Sequence, residues 1–353
     1  MREISKPSTA KCDLNKYILF LLSEPKQVSC VRLGEILKEV SHDSVNRFLL
    51  RESYTGEDLY KSVEPNIQKE GGVLSVDDTV LDKPYSNTSK ALLISYFWSG
   101  KHKKAVKGIN LITLYYTDVD GRAFPVNYRI YNKEEGKTKN EYFREMLAEV
   151  ISWGLKPAFV TGDSWYASAE NLEYIKHYGL GFLFGIEKNR SVSLSADVIT
   201  YSQVSNCEIP YTGLEMHLKG FGLVKMFRTV FKNEFRHYII YRPDPDKIAE
   251  ITRTQFMDIH DLHWQIESFH RAVKQVANIE RFFVRQTVAI SNHIFAAISA
   301  FVHLQLRCIH DLITNCYALK RNLFNDVIHS FIVKNLVDCS YLLPADLLPS
   351  VNA

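Results

Sequence analysis

The sequence predicts an α/β protein: a mixed sheet flanked by helices, with a β-rich insert and a helical N-terminal segment. Three observations predict it. Residues 73–186 read as three strands, helix, strand, helix, strand, an order that builds a mixed sheet under helical cover. Residues 190–245 are rich in β-formers. Residues 28–70 and 254–306 place apolar side chains at helical spacing. The chain has 353 residues, 46% hydrophobic and 24% charged, with net charge +3. Such a balance excludes disordered, collagenous and coiled-coil chains and leaves ample length for a large core.

Taken in order, Leu33, Ile36, Leu37 and Val40 share one helical face. Ser41 can cap a second helix with Asp43 in its first turn. Thr55 and Asp58 resemble a capping box opening a third. Short helix, tight turn, short helix is the outline of a helix-turn-helix and equally of any three-helix bundle. Residues 1–70 carry 11 basic and 11 acidic residues, so this segment is not basic overall. After Gly71-Gly72, residues 73–76 read as a buried strand ending at Asp77-Asp78-Thr79. Residues 109–116 form a second strand and 123–131 a third, joined by a turn at Val119-Asp120-Gly121. Residues 139–153 read as a helix and 158–161 as a strand ending at Gly162-Asp163. A helix near 168–178 and a strand at 181–186 follow. In the insert, 223–231 and 235–241 are β-rich and joined at Lys232-Asn233-Glu234. Long helices are expected over 254–276 and 287–306, and more helix after 310. The organisation expected is therefore 1–70 helical, 71–189 and 251–310 as two parts of one core, 190–250 as insert, and 311–353 as a helical tail.

Charge is unevenly distributed. From Lys83 to Lys107 there are six lysines and no acid; from Lys219 to Arg242 there are six Lys or Arg against one acid, Glu234. Such stretches suit a polyanion partner, and equally two solvated strand faces. Six cysteines, at 12, 30, 207, 308, 316 and 339, form no C-x-x-C pair and read as free thiols in a reducing compartment. The N-terminus has no apolar secretory core. The apolar stretch 287–306 contains Asn292, His293, His303 and Gln305 and reads as a buried helix, not a membrane span. A soluble, cytoplasmic protein without membrane contact is expected.

The helix around residue 267 carries the chemistry. At about 100° per residue from His260, His263 falls at about 300°, Glu267 at about 340°, Arg271 at about 20° and Lys274 at about 320°. Ile259, Leu262, Ile266, Phe269, Val273 and Val276 occupy the opposite side. One carboxylate among possible cations suits a metal site flanked by phosphate contacts; a solvated face with a Glu–Arg pair is the alternative. Asp78 and Asp163 each follow a strand, and ligands of open α/β sheets lie at strand ends. Three such acids offer hard oxygen donors to Mg²⁺ or Mn²⁺, and two such ions promote phosphodiester cleavage.

The segments VLSVDDTVLDKPYS, HKKAVKGINLITLYY, PAFVTGDSWYAS and HWQIESFHRAVKQ resemble, in order, those of DDE transposases of bacterial insertion sequences, in particular the group with a β-strand insert between the second Asp and the Glu. The match covers residues 70–280. The resemblance implies an RNase H-like core whose three carboxylates hold two Mg²⁺ (or Mn²⁺) ions. Carried over residue by residue, Asp78 is the expected first ligand, because the family's Asp precedes Thr, with Asp77 as the fallback. Asp163 and Glu267 are the second and third. Lys274 matches a family lysine that touches DNA phosphate. The family's Tyr and Arg ahead of the Glu are replaced here by His260 and His263, a departure that weakens the grip on phosphate unless Arg271 compensates. The implied activity is cleavage of double-stranded DNA at transposon ends and transfer of the freed 3′ ends into target DNA, with a dimer in the DNA complex. His260, His263, Arg271, Lys274, Lys101, Lys103 and Lys104 become candidate DNA contacts, and residues 1–70 a candidate end-recognition segment with Asn46 and Arg47 facing DNA. The rival readings are a decayed transposase that only binds DNA and an RNase H-like nuclease without strand transfer.

Overall fold

The computed structural model describes residues 11–26, 28–195 and 200–335. The expectations for 1–10 and for the polar end of the 311–353 tail, with Cys339, lie outside the described residues.

Four short helices open the chain: α1 Leu14–Ser23, α2 Cys30–Ile36, α3 His42–Arg51 and α4 Gly56–Val63. Each begins at a side-chain cap that satisfies free backbone N–H groups, namely Asp13, Ser29, Ser41 and Thr55, the last within a complete capping box with Asp58. The core strands follow as β1 Val73–Asp82, β2 Ser95–Ser99, β3 Lys104–Thr117 and β4 Ala123–Ile130. Then come α5 Lys139–Ser152, β5 Phe159–Gly162, α6 Ala169–His177 and β6 Gly181–Ile186. The insert contributes β7 Ser191–Ser193, β8 Ser202–Gln203, β9 Leu214–Leu218, β10 Gly222–Phe231 and β11 Glu234–Tyr241. It ends in the short α7 Asp246–Ala249. Two 23-residue helices, α8 Arg253–Gln275 and α9 Thr287–Ile309, precede α10 Ala318–Asn335.

All strands join one 11-stranded sheet in the order β2-β3-β1-β5-β6-β11-β10-β9-β7-β8, with β4 also on β3. The outer edge of β3 is shared: its first residues pair with β2 and the remainder with β4. β1, β3 and β4 form an antiparallel meander, and β5 and β6 run parallel to β1. This β4-β3-β1-β5-β6 order is the RNase H-like core, and the insert extends the sheet from β6 through β11.

The first strand differs from expectation. It does not end at Val76 but runs to Asp82, paired with β3 throughout from Val73–Thr117 to Asp82–Gly108. The aspartates thus lie inside a strand rather than after one. Strand β2 was not expected, and helix α1, inside the segment expected to be helical, had no signature of its own; SYFWS is a short apolar run within a lysine-rich stretch, and it forms because β3 offers it an edge.

Among the described residues α9 alone is long and apolar enough to cross a membrane, and it is mostly buried within the protein. Its polar residues explain why. Asn292 donates to the carbonyls of Leu49 and Glu52 at 2.7 and 2.6 Å, at the end of α3. In the α8–α9 connection, Asn278 does the same for Leu21 and Glu24 at the end of α1, at 2.7 Å each. His293 contacts the Tyr17 hydroxyl at 2.9 Å through Nδ1 and the Ile279 carbonyl at 3.2 Å through Nε2. Helix C-termini otherwise leave carbonyls unsatisfied, so these side chains bind the N-terminal helices to the core. One hydrophobic cluster accordingly runs from Cys12 through the sheet to Leu304. Replacing Asn292 with Ala strands both α3 carbonyls, and we expect a loss of about 1–3 kcal/mol in chemical denaturation. An unchanged midpoint would mean that water replaces the amide.

Candidate active site

Side chains alternate along a strand, so adjacent Asp77 and Asp78 face opposite sides of the sheet. Register decides which of them meets the other acids. β1 and β5 pair in parallel up to Val76–Gly162, and one step further Asp77 falls level with Asp163. The close approach depends on Gly162: a Cβ there would meet Phe184 at 2.7 Å and the Val76 side chain at 2.8 Å. Helix α8 crosses this face. His270 on α8 is 5% exposed and places Nδ1 3.4 Å from Asp77 Oδ2. Glu267 lies one turn earlier on the same stripe, close enough for the Asp77 charge to act on it.

Asp78 points the other way and is fully engaged. Its carboxylate accepts from Asn110 Nδ2 at 2.6 Å, Lys139 Nζ at 2.7 Å and the Tyr166 hydroxyl at 3.2 Å. Lys139 begins α5, and Tyr166 belongs to the 3₁₀ turn after Asp163. Asp78 therefore ties β1 to the helical layer behind the sheet. Asp163 feels the charges of both Asp77 and Asp78, the Asp77 charge more strongly, and Glu267 feels that of Asp77.

The electrostatics follow. Burial opposes ionisation of Asp77, but the hydrogen bond and charge of His270, with His263 and the Asp78 N–H, hold its carboxyl below the ordinary value. Burial, then Asp77 and Asp78, push Asp163 up to about 7. Burial, then Asp77, also push Glu267 upward. This is the behaviour of neighbouring carboxylates. Among the described residues, no three or more His, Cys, Asp or Glu side chains stand at metal-ligating spacing as they are.

The expected DNA contacts fall into three groups. His263 is pushed below its ordinary pKa by burial, and its Nδ1 has no partner, so it brings no fixed charge where the resemblance has arginine. His260 bonds Asp261 at 2.9 Å and stands edge-on to the Tyr238 ring. Arg271 is exposed, its guanidinium 6.0 Å from the centre of the exposed Trp264 ring. Lys274 is engaged, donating to the Val80 carbonyl at 2.8 Å and lying 3.5 Å from Glu280. Lys101, Lys103 and Lys104 are exposed in and beside the β2–β3 turn. The basic stretch is not uniform, however. Lys83 is buried over the Phe282 ring and donates to the Glu280 and Phe282 carbonyls, so it secures the α8–α9 connection and is no surface contact. Half-buried Asn46 accepts from the Cys30 thiol, while Arg47 is exposed.

Sequence reasoning missed His270, Asn110, Lys139 and Tyr166. A signal existed for His270: ten residues after His260, it falls at about 280° on the wheel, at the margin of the polar stripe. The others come from separate elements, and no spacing announces them.

A profile described as "Transposase DDE domain" matches residues 68–302, which is more than half of the chain. No curated protein matches. Among solved structures, 49% of this chain aligns with 38% of a Drosophila P element transposase in its strand transfer complex, at 9% identity and a TM-score of 0.25. Another alignment covers 86% of this chain and 96% of the NurA nuclease from Sulfolobus solfataricus, at 11% identity and a TM-score of 0.24. The chain thus spans less than two fifths of the P element protein's length, and likenesses this slight decide nothing about it.

Because the Asp163 pKa is raised to about 7, its stabilising contribution is complete below its ordinary value and is lost as pH rises through about 7. Asp163 is solvent-exposed, so screening keeps the effect small: metal-free Tm should fall slightly between about pH 5 and about pH 8, and fall less in Asp163→Asn. Equal slopes in the two proteins would remove Asp163 from the crowded face.

Proposed function

The chain belongs to the transposase DDE domain family, and on that premise we propose that it cleaves double-stranded DNA at the ends of an insertion sequence and joins the freed ends to target DNA. The observation that supports this reading best is the β1–β5 register, which sets Asp77 level with Asp163 on the face that α8 crosses with Glu267. Asp77, Asp163 and Glu267 are the proposed ligands of two divalent ions, Mg²⁺ or Mn²⁺, with Asp77 in the place first expected of Asp78. The donor set fits such ions: three hard-oxygen donors, two of them held above their ordinary pKa by burial and by neighbouring carboxylates. When bound, the ions would neutralise that repulsion and provide Lewis-acid activation at the phosphodiester.

The remaining roles belong to the chain itself. His270 fixes the Asp77 carboxylate from one side while the Asp78 N–H donates to its other oxygen at 2.7 Å. Asp78, through Asn110, Lys139 and Tyr166, holds β1 at the depth where Asp77 meets α8. Arg271, exposed one turn after Glu267, is the cation placed to grip a phosphate and so answers for the missing arginine. Lys274 reaches DNA only by leaving Val80 and Glu280. Lys101, Lys103 and Lys104 line a path for the DNA backbone beyond the site. The α2–α3 pair, with Arg47 exposed, is the proposed reader of the element's end, and two copies act together on two ends.

A second reading, a decayed element that binds DNA without cutting it, is favoured by one observation: His263 lacks a fixed charge where the family has arginine.

The test is Mg²⁺-dependent cleavage of duplex DNA carrying the element's ends. Asp77→Asn and Glu267→Gln should abolish cleavage while retaining DNA binding. Asp78→Asn, which loosens a supporting contact, should leave cleavage reduced roughly 10-fold. Loss with Asp78→Asn and activity with Asp77→Asn would reverse the assignment. Binding without cleavage by the unsubstituted chain, in Mg²⁺ and in Mn²⁺, would establish the decayed reading.

A further inference from the structure

The β2–β3 hairpin carries aromatics that the proposed chemistry does not use. Tyr96 and Trp98 on β2 are 58% and 69% exposed, whereas Phe97 between them is buried. Cross-strand partners share a face. Asp77 pairs with Thr113 on β3, and Trp98 and Tyr96 pair with Ala105 and Lys107. Every one of these β3 positions is odd-numbered, and neither pairing shifts register, so Tyr96 and Trp98 lie on the same face of the sheet as Asp77. Strand β2 runs parallel to β1, because each is antiparallel to β3. The hairpin therefore extends past the end of β1 at the same end of the sheet as the carboxylates. From Thr113 to Ala105 the distance along the strand is roughly 26 Å.

The surroundings are basic. Lys101, Lys103 and Lys104 are exposed, and no acid occurs from residue 83 to residue 117. The nearby Asp82 is engaged by His102 at 2.9 Å and Lys101 at 3.6 Å. The outward Tyr96 carbonyl accepts from Lys133 Nζ at 2.8 Å. That contact blunts strand addition by a second copy along this edge and leaves the side chains as the available surface.

We infer that Tyr96 and Trp98 form a stacking platform for unpaired bases of a DNA single strand leading to or from the carboxylate face, with Lys101 and Lys103 of the adjoining turn on its phosphates. Flat exposed rings beside lysines suit this ligand, since every base has a π-face and the backbone is anionic. Duplex DNA keeps its bases stacked inside and would engage the lysines alone. The inference rests on the transposase reading and adds to it a single-stranded segment near the site.

The experiment uses the full chain with Asp163→Asn, which prevents cleavage, and measures anisotropy of a labelled oligothymidylate and of a duplex of equal length. Trp98→Ala should weaken single-strand binding about 10-fold, the loss of one stacked base, while duplex affinity changes less than about twofold. Trp98→Phe should restore most of the single-strand affinity. Replacing Lys101 and Lys103 with Gln should lower the salt dependence for both DNAs. Single-strand binding indifferent to Trp98→Ala, or equal loss on both DNAs, would overturn the platform while leaving the transposase reading intact. A Trp98→Ala effect on self-association in place of DNA affinity would assign the surface to a second copy. Failure of the starting protein to bind either DNA would overturn both readings.

Discussion

The two-residue period of β1 is the constraint on which the rest of the site depends. It divides two adjacent aspartates between two faces, and each face answers with different chemistry. Behind the sheet, Asp78 meets an amide, an ammonium and a phenol and becomes a structural anchor. In front, Asp77 meets one imidazole, and its charge raises the pKa of both Asp163 and Glu267. A one-residue slip of β1 against β5 would exchange these roles. Gly162, the long β3 partner and the Asp78 contacts all act against such a slip.

Helix α8 must sit at a fixed depth over β1 for Glu267 and His270 to face Asp77. Its end is secured by buried polar contacts rather than by apolar packing alone. Lys274 holds the Val80 carbonyl, and Lys83 holds the carbonyls of Glu280 and Phe282 in the connection to α9. From there Asn278, Asn292 and His293 continue to the N-terminal helices. The proposed end-recognition helices and the carboxylate face are thus parts of one packed body.

The core elements were legible because each has a strong local signature: capping residues for α3 and α4, β-formers flanking a glycine turn for β3 and β4, and helical periodicity for α8 and α9. The positions of Asp163 and Glu267, the proposed second and third ligands, were legible for the same reason, one at a strand end and one on a polar stripe. The choice between Asp77 and Asp78 was not, because it depends on register with β5 and on which face α8 covers, and neighbours in sequence do not carry that information. The resemblance pointed to Asp78 through the following Thr, and the register is the basis on which Asp77, the fallback, is proposed instead. Strand β2 escaped notice because its stability comes from the edge of β3, and Lys83 read as a surface charge because its acceptors lie about 200 residues away in the chain.

The central claim, that Asp77 and not Asp78 completes the carboxylate set, is tested most directly by the anomalous scattering of Mn²⁺ in crystals of the full chain. The account predicts peaks within coordinating distance of Asp77 and Asp163 on the face of Glu267, with Asp78 still bound to Asn110, Lys139 and Tyr166. Manganese held by Asp78, with Asp77 left against His270, would contradict it.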